Sequence, residues 1–176
     1  MKIYCETSCL PENIRRHSDA KSQRELTALK SLAEQHQLFA SRVIDREIMK
    51  TADKARRDAL IIDYKTLQPI PKDEKLLGFH HQSDRYGFVT YPMISDSQNE
   101  PLRDELIQHG LEPTDAEHIT QAVSNDCDVF LTRDERTIII RHREWLEKRF
   151  PNLRVRLPSE LLKEIAASEG TAMGNG

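Results

Sequence analysis

The sequence predicts an α/β fold, a three-layer α/β/α sandwich around a central, mostly parallel sheet. Short apolar stretches alternate along the chain with longer amphipathic stretches, which is typical of repeated strand–helix–strand units with parallel strands. The chain has 176 residues, of which 38% are hydrophobic. That is enough for one sizeable core and too short for two domains. We therefore expect a single domain.

The first part of the chain predicts two strands, each followed by a helix. Residues 2–5, KIYC, form a strand that ends at Glu6. Leucines at helical spacing then predict an amphipathic helix over about 19–36. The strand LFAS follows. Ser41 is a suitable N-cap for a long helix, which we expect to run without Gly or Pro to about residue 67, before Pro69.

The second part begins with an irregular segment and returns to regular structure. Residues 72–100 mix glycine, proline, aromatic and β-branched residues, which predicts a loop with a hairpin. Six further elements follow: a helix from Pro101 to Gly110, a helix with Thr114 as N-cap and Glu117 at capping-box spacing, the strand DVFLT, the basic helix RTIIIRHREWLEKRF, the strand LRVRL, and a helix that begins at Pro158.

Charge is unevenly distributed along the chain. The formal net charge is -3, yet residues 133–156 hold eight Arg or Lys against four Asp or Glu, a local excess of +4. Such a segment either contacts phosphate groups or forms a solvated face. Trp145 in this segment either stacks on a nucleic-acid base or packs in the core, and its spacing with Ile138 and Leu146 favours the core.

Cysteine usage and hydropathy indicate the compartment. The three cysteines, Cys5, Cys9 and Cys127, include no CxxC pair, which argues against a disulfide framework and against a thiolate zinc site. No stretch approaches 18 apolar residues, and the first residues do not have the pattern of a signal peptide. We expect a cytoplasmic protein with no membrane partner.

Four carboxylates lie where a parallel sheet places its functional groups. Glu6 and Asp134 follow strands, while Glu47 and Asp115 lie in the first turns of helices. Since such sheets bind ligands at the carboxyl ends of their strands, we expect all four to face one crevice. Like charges this close repel one another, and a hard divalent cation removes the repulsion. The sequence therefore predicts a site for Mg²⁺ or Mn²⁺, which prefer oxygen ligands.

The polar residues beside these acids suit the handling of a phosphodiester. Thr7, Ser8 and Thr132 have hydroxyl groups that can hydrogen-bond the acids or a water molecule. Arg133 can contact a phosphate group. Two metal ions in such a site stabilise both the attacking and the leaving oxygen of a phosphodiester displacement.

With these residues identified, the chain resembles the PIN-domain family of metal-dependent ribonucleases, which includes the toxins of many bacterial and archaeal toxin–antitoxin pairs. The resemblance rests on MKIYCETSCL, SRVIDREI, TDAEHITQAV and DVFLTRD, which supply the family's four acids in order. It covers residues 1–165, in which 72–100 is an insertion relative to the compact toxins. We expect residues 166–176 to be a disordered tail. Glu6 is a departure, because the family's first acid is usually Asp.

The resemblance implies a PIN-like fold and an endoribonuclease that hydrolyses single-stranded RNA with Mg²⁺ or Mn²⁺. It implies RNA, an antitoxin protein and a second copy of the chain as partners, although the residues themselves do not distinguish RNA from DNA. The implied metal ligands are Glu6, Asp115 and Asp134, with Glu47 as a further ligand or as support, and the implied substrate contacts are Arg133, Ser8 and Thr132.

Each acid also has a structural explanation. Asp115 is a first-turn acid that complements the helix dipole, Asp134 suits a helix cap, and Glu47 suits a solvated helix face, with Asp45 as the alternative carboxylate. His118, three residues after Asp115, is interpreted as a structural hydrogen-bonding residue near the crevice.

Two functional alternatives remain at this point. One is a catalytically inactive PIN-like module that binds RNA or protein, which the replacement of Asp by Glu6 favours. The other is a phosphoryl-handling domain, either a receiver or a phosphatase of the haloacid dehalogenase type. The segment ETSCL lacks the D-x-D-x-T pattern of that phosphatase, and the early acidic pair of a receiver is also missing.

Overall fold

The computed structural model describes residues 1–70, 77–84, 87–94 and 99–173, with 77–84, 87–94 and 170–173 described by their backbone alone. Seven strands lie in this part of the chain: β1 Ile3–Cys5, β2 Leu38–Ala40, β3 Gln68–Pro69, β4 Leu77–Asp84, β5 Gly87–Ile94, β6 Val129–Leu131 and β7 Arg154–Arg156. Five of them form one parallel sheet in the order β3-β2-β1-β6-β7, and β4 pairs antiparallel with β5 in a separate hairpin.

Helices surround the parallel sheet. The described residues include eight α-helices: α1 Pro11–Arg15, α2 Ala20–Gln35, α3 Arg42–Met49, α4 Lys54–Tyr64, α5 Glu100–Gln108, α6 Pro113–Ser124, α7 Arg143–Arg149 and α8 Pro158–Met173. A 3₁₀ turn at Thr7–Cys9 and a π-helical segment at Glu135–His142 follow β1 and β6. None of the described helices has the length and apolar composition that crossing a membrane requires.

The side chains of the central strands alternate between two helical layers. Ile3 and Cys5 of β1 pack into a core with leucines of α2 and α8. Tyr4, between them in sequence, packs on the opposite face with Phe130 of β6 and with apolar residues of α5 and α6. Each fully buried Leu, Ile or Phe side chain stabilises the fold by about 1.5–3 kcal/mol relative to an exposed one. The predicted three-layer α/β/α fold is confirmed, and its two cores lie on opposite faces of one sheet.

The strand order excludes the receiver alternative. Numbered along the chain, the parallel strands of the described sheet lie in the order 3-2-1-4-5. Receiver domains have the flavodoxin-like order 2-1-3-4-5, in which the first strand has different neighbours. In this chain β1 pairs with β2 on one side and with β6 on the other. The ends of β1 and β6 therefore lie side by side, which determines where the site is built.

Two predicted boundaries are wrong for local reasons. The expected long helix after Ser41 is two helices, because the Asp53 side chain accepts a hydrogen bond from the backbone N–H of Arg56 (3.1 Å) and caps a new helix. Thr114 is not an N-cap. The helix begins at Pro113, with Glu112 as its N-cap, since the fixed φ of proline suits the first helical position.

Other local predictions are confirmed. Ser41 caps α3, where its Oγ accepts from the Val43 N–H (3.3 Å). Gly110 lies just after the end of α5 and has a φ of 98°, a conformation that glycine adopts without strain. The hairpin within 72–100 is present as β4 and β5, while residues 72–76, 85–86 and 95–98 of that prediction lie outside the described residues.

The C-terminal helix extends beyond its predicted end. α8 continues to Met173, so the predicted disorder is wrong for residues 166–173. Residues 166–169, AASE, are compatible with helix, and alanine and glutamate are good helix formers. The rest of the predicted tail, residues 174–176, lies outside the described residues.

Candidate active site

Glu6 occupies the carboxyl end of β1. Since Cys5 lies opposite Leu131 in the parallel pair, Glu6 follows directly beside the end of β6, and its backbone N–H donates to the Leu131 carbonyl (3.1 Å). Its side chain is buried, with 6% of its surface exposed. The carboxylate accepts from the Ser8 N–H (3.2 Å), the Ser8 hydroxyl (2.5 Å) and the Thr132 hydroxyl (2.8 Å). Protein donors therefore hold both of its oxygens.

Asp134 is linked to Glu6 through Thr132. The hydroxyl of Thr132, which donates to Glu6, accepts from the Asp134 N–H (2.9 Å). Asp134 also caps the π-helical segment, because its Oδ1 accepts from the Thr137 N–H (2.8 Å). The capping interpretation of Asp134 is therefore confirmed. A capping role leaves the second carboxylate oxygen for other contacts.

Asp115 lies in the first turn of α6 and is half-buried. Within the described part of the chain, its carboxylate accepts no hydrogen bond from a protein donor. Burial raises the pKa of Asp115 from 3.8 to about 7, together with the negative charges of Glu6 and Asp134 and, to a smaller extent, of Glu47. His118 opposes this rise. The fold thus brings carboxylates from four separate segments within electrostatic reach of one another.

Glu47 is held by two donors from other elements. Its Oε2 accepts a hydrogen bond from the Thr7 hydroxyl and another from His118 Nε2 (2.8 Å). Burial alone raises the pKa of Glu47, but the hydrogen bond and charge of His118 and the hydrogen bond of Thr7 outweigh it, so the net pKa is lowered. Asp45, the alternative carboxylate on α3, is exposed.

A buried polar chain positions Glu47 from behind. His118 is fully buried, and its Nδ1 lies 2.8 Å from the Tyr4 hydroxyl, which lies 2.6 Å from the Ser41 hydroxyl. The Tyr4 hydroxyl therefore bridges Ser41 and His118, and His118 Nε2 donates to Glu47. The predicted structural role of His118 agrees with this geometry. Sequence reasoning missed Tyr4, whose only signal was its place in a strand.

The four acids have the chemistry of a divalent-cation site. Carboxylate oxygens are the ligands that Mg²⁺ and Mn²⁺ prefer, and a cation removes the repulsion that raises the pKa of Asp115. Among the described residues, no three His, Cys, Asp or Glu side chains stand in the arrangement of a formed metal site. Glu6, Glu47 and Asp134 accept hydrogen bonds from Ser8, Thr7 and Thr137, respectively.

Ser8 and Arg133 connect the acids to a neighbouring surface. The Ser8 hydroxyl donates to Glu6 and accepts from the Arg133 N–H (2.8 Å). The Arg133 guanidinium points away from the acids toward α2, where its Nη2 donates to the Ser22 hydroxyl (3.2 Å). The predicted substrate contacts Ser8, Thr132 and Arg133 therefore have different surroundings, since Thr132 is fully buried against Glu6.

The basic segment is largely an ion-paired face. Four of its arginines contact glutamates: Arg143 with Glu160 (3.0 Å), Arg149 with Glu105 (2.6 Å), Arg154 with Glu164 (3.2 Å), and Arg156 with Glu147 and Glu164. Because solvent screens exposed charges, pairs of this kind contribute little to stability. Trp145 packs against the core and stacks on His109, with ring centroids 3.6 Å apart. Four of the eight basic residues of this segment are therefore paired with glutamates of the protein itself.

Comparison with known proteins bears on the fold. A chain in the crystal structure of VapBC2 from Rickettsia felis, bound to a DNA fragment from their promoter, superimposes with a TM-score of 0.51. The sequences are 19% identical, and the match covers 89% of this chain and 98% of that chain. The fold is PIN-like. At this identity the likeness shows the fold alone. No protein-family model and no curated protein matches the chain.

The pKa of Asp115 predicts how the stability of this PIN-like domain depends on pH. In divalent-free buffer, protonated Asp115 stabilises the fold. This contribution is fully present below pH 3.8 and is lost as pH rises through about 7. Asp115→Asn lacks the titrating group, so its free energy of unfolding should match that of the wild type near pH 4 and exceed it at pH 8. Urea denaturation from pH 4 to 8 measures the difference.

The exposed Asp104 provides a matched control. Asp104→Asn should follow the wild-type pH dependence. Parallel curves for wild type and Asp115→Asn would show that the neighbouring acids do not repel Asp115.

Proposed function

We propose that this chain is a divalent-metal-dependent endoribonuclease that hydrolyses phosphodiester bonds of single-stranded RNA. The observation that carries the proposal is the geometry of the acids. Glu6 and Asp134 follow the adjacent parallel strands β1 and β6 and are linked through Thr132, and their charges, with that of Glu47, reach Asp115. Because the pKa of Asp115 is raised, its ionised form makes the fold less stable at neutral pH. A cluster of acids that repel one another in this way suits the binding of cations.

Glu6, Asp115 and Asp134 would hold Mg²⁺ or Mn²⁺, and Glu47 would act as a further ligand or as support. A bound divalent ion supplies positive charge to the phosphoryl oxygens and lowers the pKa of a water molecule. The chain's own residues set the positions of the acids. Thr132 and Ser8 orient the Glu6 carboxylate, and His118 and Thr7 orient that of Glu47.

RNA and an antitoxin protein are the partners that the PIN resemblance implies. The likeness to VapBC2 supports the PIN-like fold on which this resemblance depends. The resemblance also implies a second copy of the chain as a partner. A PIN toxin acts in the cytoplasm, where RNA is found.

The proposal is tested by metal addition. Millimolar Mn²⁺ should raise the melting temperature, because a ligand present at a hundred times its Kd stabilises the folded state by about 2.7 kcal/mol. For a domain of this size that corresponds to roughly 5–10 °C. The same protein should cut an unstructured single-stranded RNA with Mn²⁺ and leave it intact with a chelator. No thermal shift together with equal cleavage under both conditions would refute the proposal.

A catalytically inactive binding module is the second candidate. It is favoured by Glu6, which is one methylene longer than the family's usual Asp and already accepts three hydrogen bonds from the protein. A module of this kind would bind single-stranded RNA without a response to Mn²⁺. Calorimetric titration with Mn²⁺ separates the two candidates, since the nuclease requires the metal and the module does not.

A further inference from the structure

A basic pocket lies beside the candidate active site. Its volume is about 290 Å³, and it is lined by Ser8, Asn13, Arg16, His17, Arg56 and Arg133. These residues come from the turn after β1, from α1 and its end, from α4 and from the end of β6. No carboxylate lines the pocket. The fold therefore gathers three arginines, a histidine and two neutral hydrogen-bonding side chains on one concave surface.

The pocket shares a wall with the acids. Ser8 lines it, and the same Ser8 hydroxyl donates to Glu6 and accepts from the Arg133 N–H. Asn13 also reaches both regions, because its Nδ2 donates to the carbonyl of Thr7, whose hydroxyl binds Glu47. The basic pocket and the acids are therefore adjacent, with Ser8 common to both.

The pocket arginines keep uncompensated charge. Within the described part of the chain, Arg16, Arg56 and Arg133 form no ion pair with a carboxylate, whereas Arg143 and Arg149 do. Arg56 is partly buried, and its Nη2 donates to Asn13 Oδ1 (3.0 Å). The Nε atom of Arg56 is buried and has no hydrogen-bond acceptor. A buried guanidinium N–H without an acceptor favours the binding of one, ideally an anionic one.

We propose that this pocket binds a phosphate group of single-stranded RNA adjacent to the phosphodiester that the four acids cleave. The inference rests on the proposed function and adds a substrate subsite to it. Guanidinium groups match phosphate oxygens with two parallel hydrogen bonds, and Asn13 holds Arg56 in place for that contact. The acids repel the backbone where no cation is present, and the arginines attract it, so together they define its path.

An acidic protein segment is the rival ligand for such a pocket. RNA is favoured because the pocket continues directly from the acids through Ser8, and a phosphodiester backbone has a charge at every nucleotide. The adjacent acids would not favour an acidic peptide over RNA, because they repel its carboxylates as well.

The test uses a short single-stranded oligonucleotide in which one phosphodiester at a time is replaced by an uncharged methylphosphonate. Binding is measured by fluorescence anisotropy in chelator at low salt, so that it does not depend on metal or cleavage. In the wild type, a methylphosphonate at one particular position should weaken oligonucleotide binding about tenfold. Arg16→Ala and Arg56→Ala should weaken binding of the unmodified strand about tenfold, remove that position's effect and lower the salt slope by about one. Arg56→Lys should restore part of the affinity.

Controls separate this subsite from general attraction. Arg141 is exposed and does not line the pocket, so Arg141→Ala should leave the position effect unchanged. Arg16 is exposed too, so its variant should keep the wild-type melting temperature. An equal loss at every methylphosphonate position, or equal weakening by Arg141→Ala, would overturn the inference. The inference would also be overturned if binding of an acidic peptide required Arg16 and Arg56 and binding of the oligonucleotide did not.

The outcome for the proposed function is read separately. If the protein cleaves RNA with Mn²⁺ but Arg16→Ala and Arg56→Ala do not change oligonucleotide binding, the proposed nuclease function stands and the proposed subsite is wrong. Pocket-dependent binding without Mn²⁺-dependent cleavage would refute the nuclease and keep the pocket as a phosphate-binding site.

Discussion

Asp115→Asn should cut single-stranded RNA at least about a hundredfold more slowly than the wild type while making the metal-free protein more stable. The loss of rate corresponds to several kcal/mol of charge stabilisation in the transition state, because the variant lacks one charged ligand of the proposed cation. The gain in stability follows from the pKa of Asp115, since the asparagine removes a charge that Glu6 and Asp134 repel. An acid without a role in catalysis would not show the loss of rate.

The measurement compares cleavage and melting of the wild type, Asp115→Asn and Asp104→Asn. Asp104 is exposed, and within the described residues it forms an ion pair only with its neighbour Arg103, so its variant should retain full activity and the full Mn²⁺ response. Proteins must be purified away from host ribonucleases. Equal cleavage by all three would mean that the activity is contamination, and the inactive binding module would then be the better explanation.

Glu6→Gln should reduce cleavage by about a hundredfold and also destabilise the fold. The Glu6 carboxylate accepts one backbone and two hydroxyl hydrogen bonds while 6% exposed. The amide nitrogen of glutamine accepts none, so at least one donor from Ser8 or Thr132 loses its partner. An unsatisfied buried donor costs about 1–3 kcal/mol. Urea denaturation and RNA cleavage measure the two effects.

Glu6→Asp is the matched comparison, because it keeps the negative charge and restores the residue usual in PIN domains. It should retain the Mn²⁺-induced rise in melting temperature and cleave within about tenfold of the wild type, consistent with the loss of one hydrogen bond through the shorter side chain. If Glu6→Gln cleaved as fast as the wild type, Glu6 would have no part in the reaction.

The sequence by itself determined the fold class and the placement of the acids. Alternation of Ile3, Tyr4 and Cys5 between two cores, and the cap at Ser41, depend on contacts along one strand or within one helical turn. Periodicity and capping chemistry record such contacts directly. The position of Glu6 at a strand end required only the rule that parallel strands place their carboxyl ends at one edge.

Only the tertiary structure decided how the charged and polar groups are paired. Tyr4 and His118 are 114 residues apart, and Arg133 and Ser8 are 125 apart, so no local pattern records their contacts. The glutamates that pair with arginines of the basic segment, and the three arginines of the pocket, are likewise brought together by the fold and not by a local sequence pattern. A charge acts on whatever lies a few ångströms away in space, and the chain's topology alone brings those neighbours together.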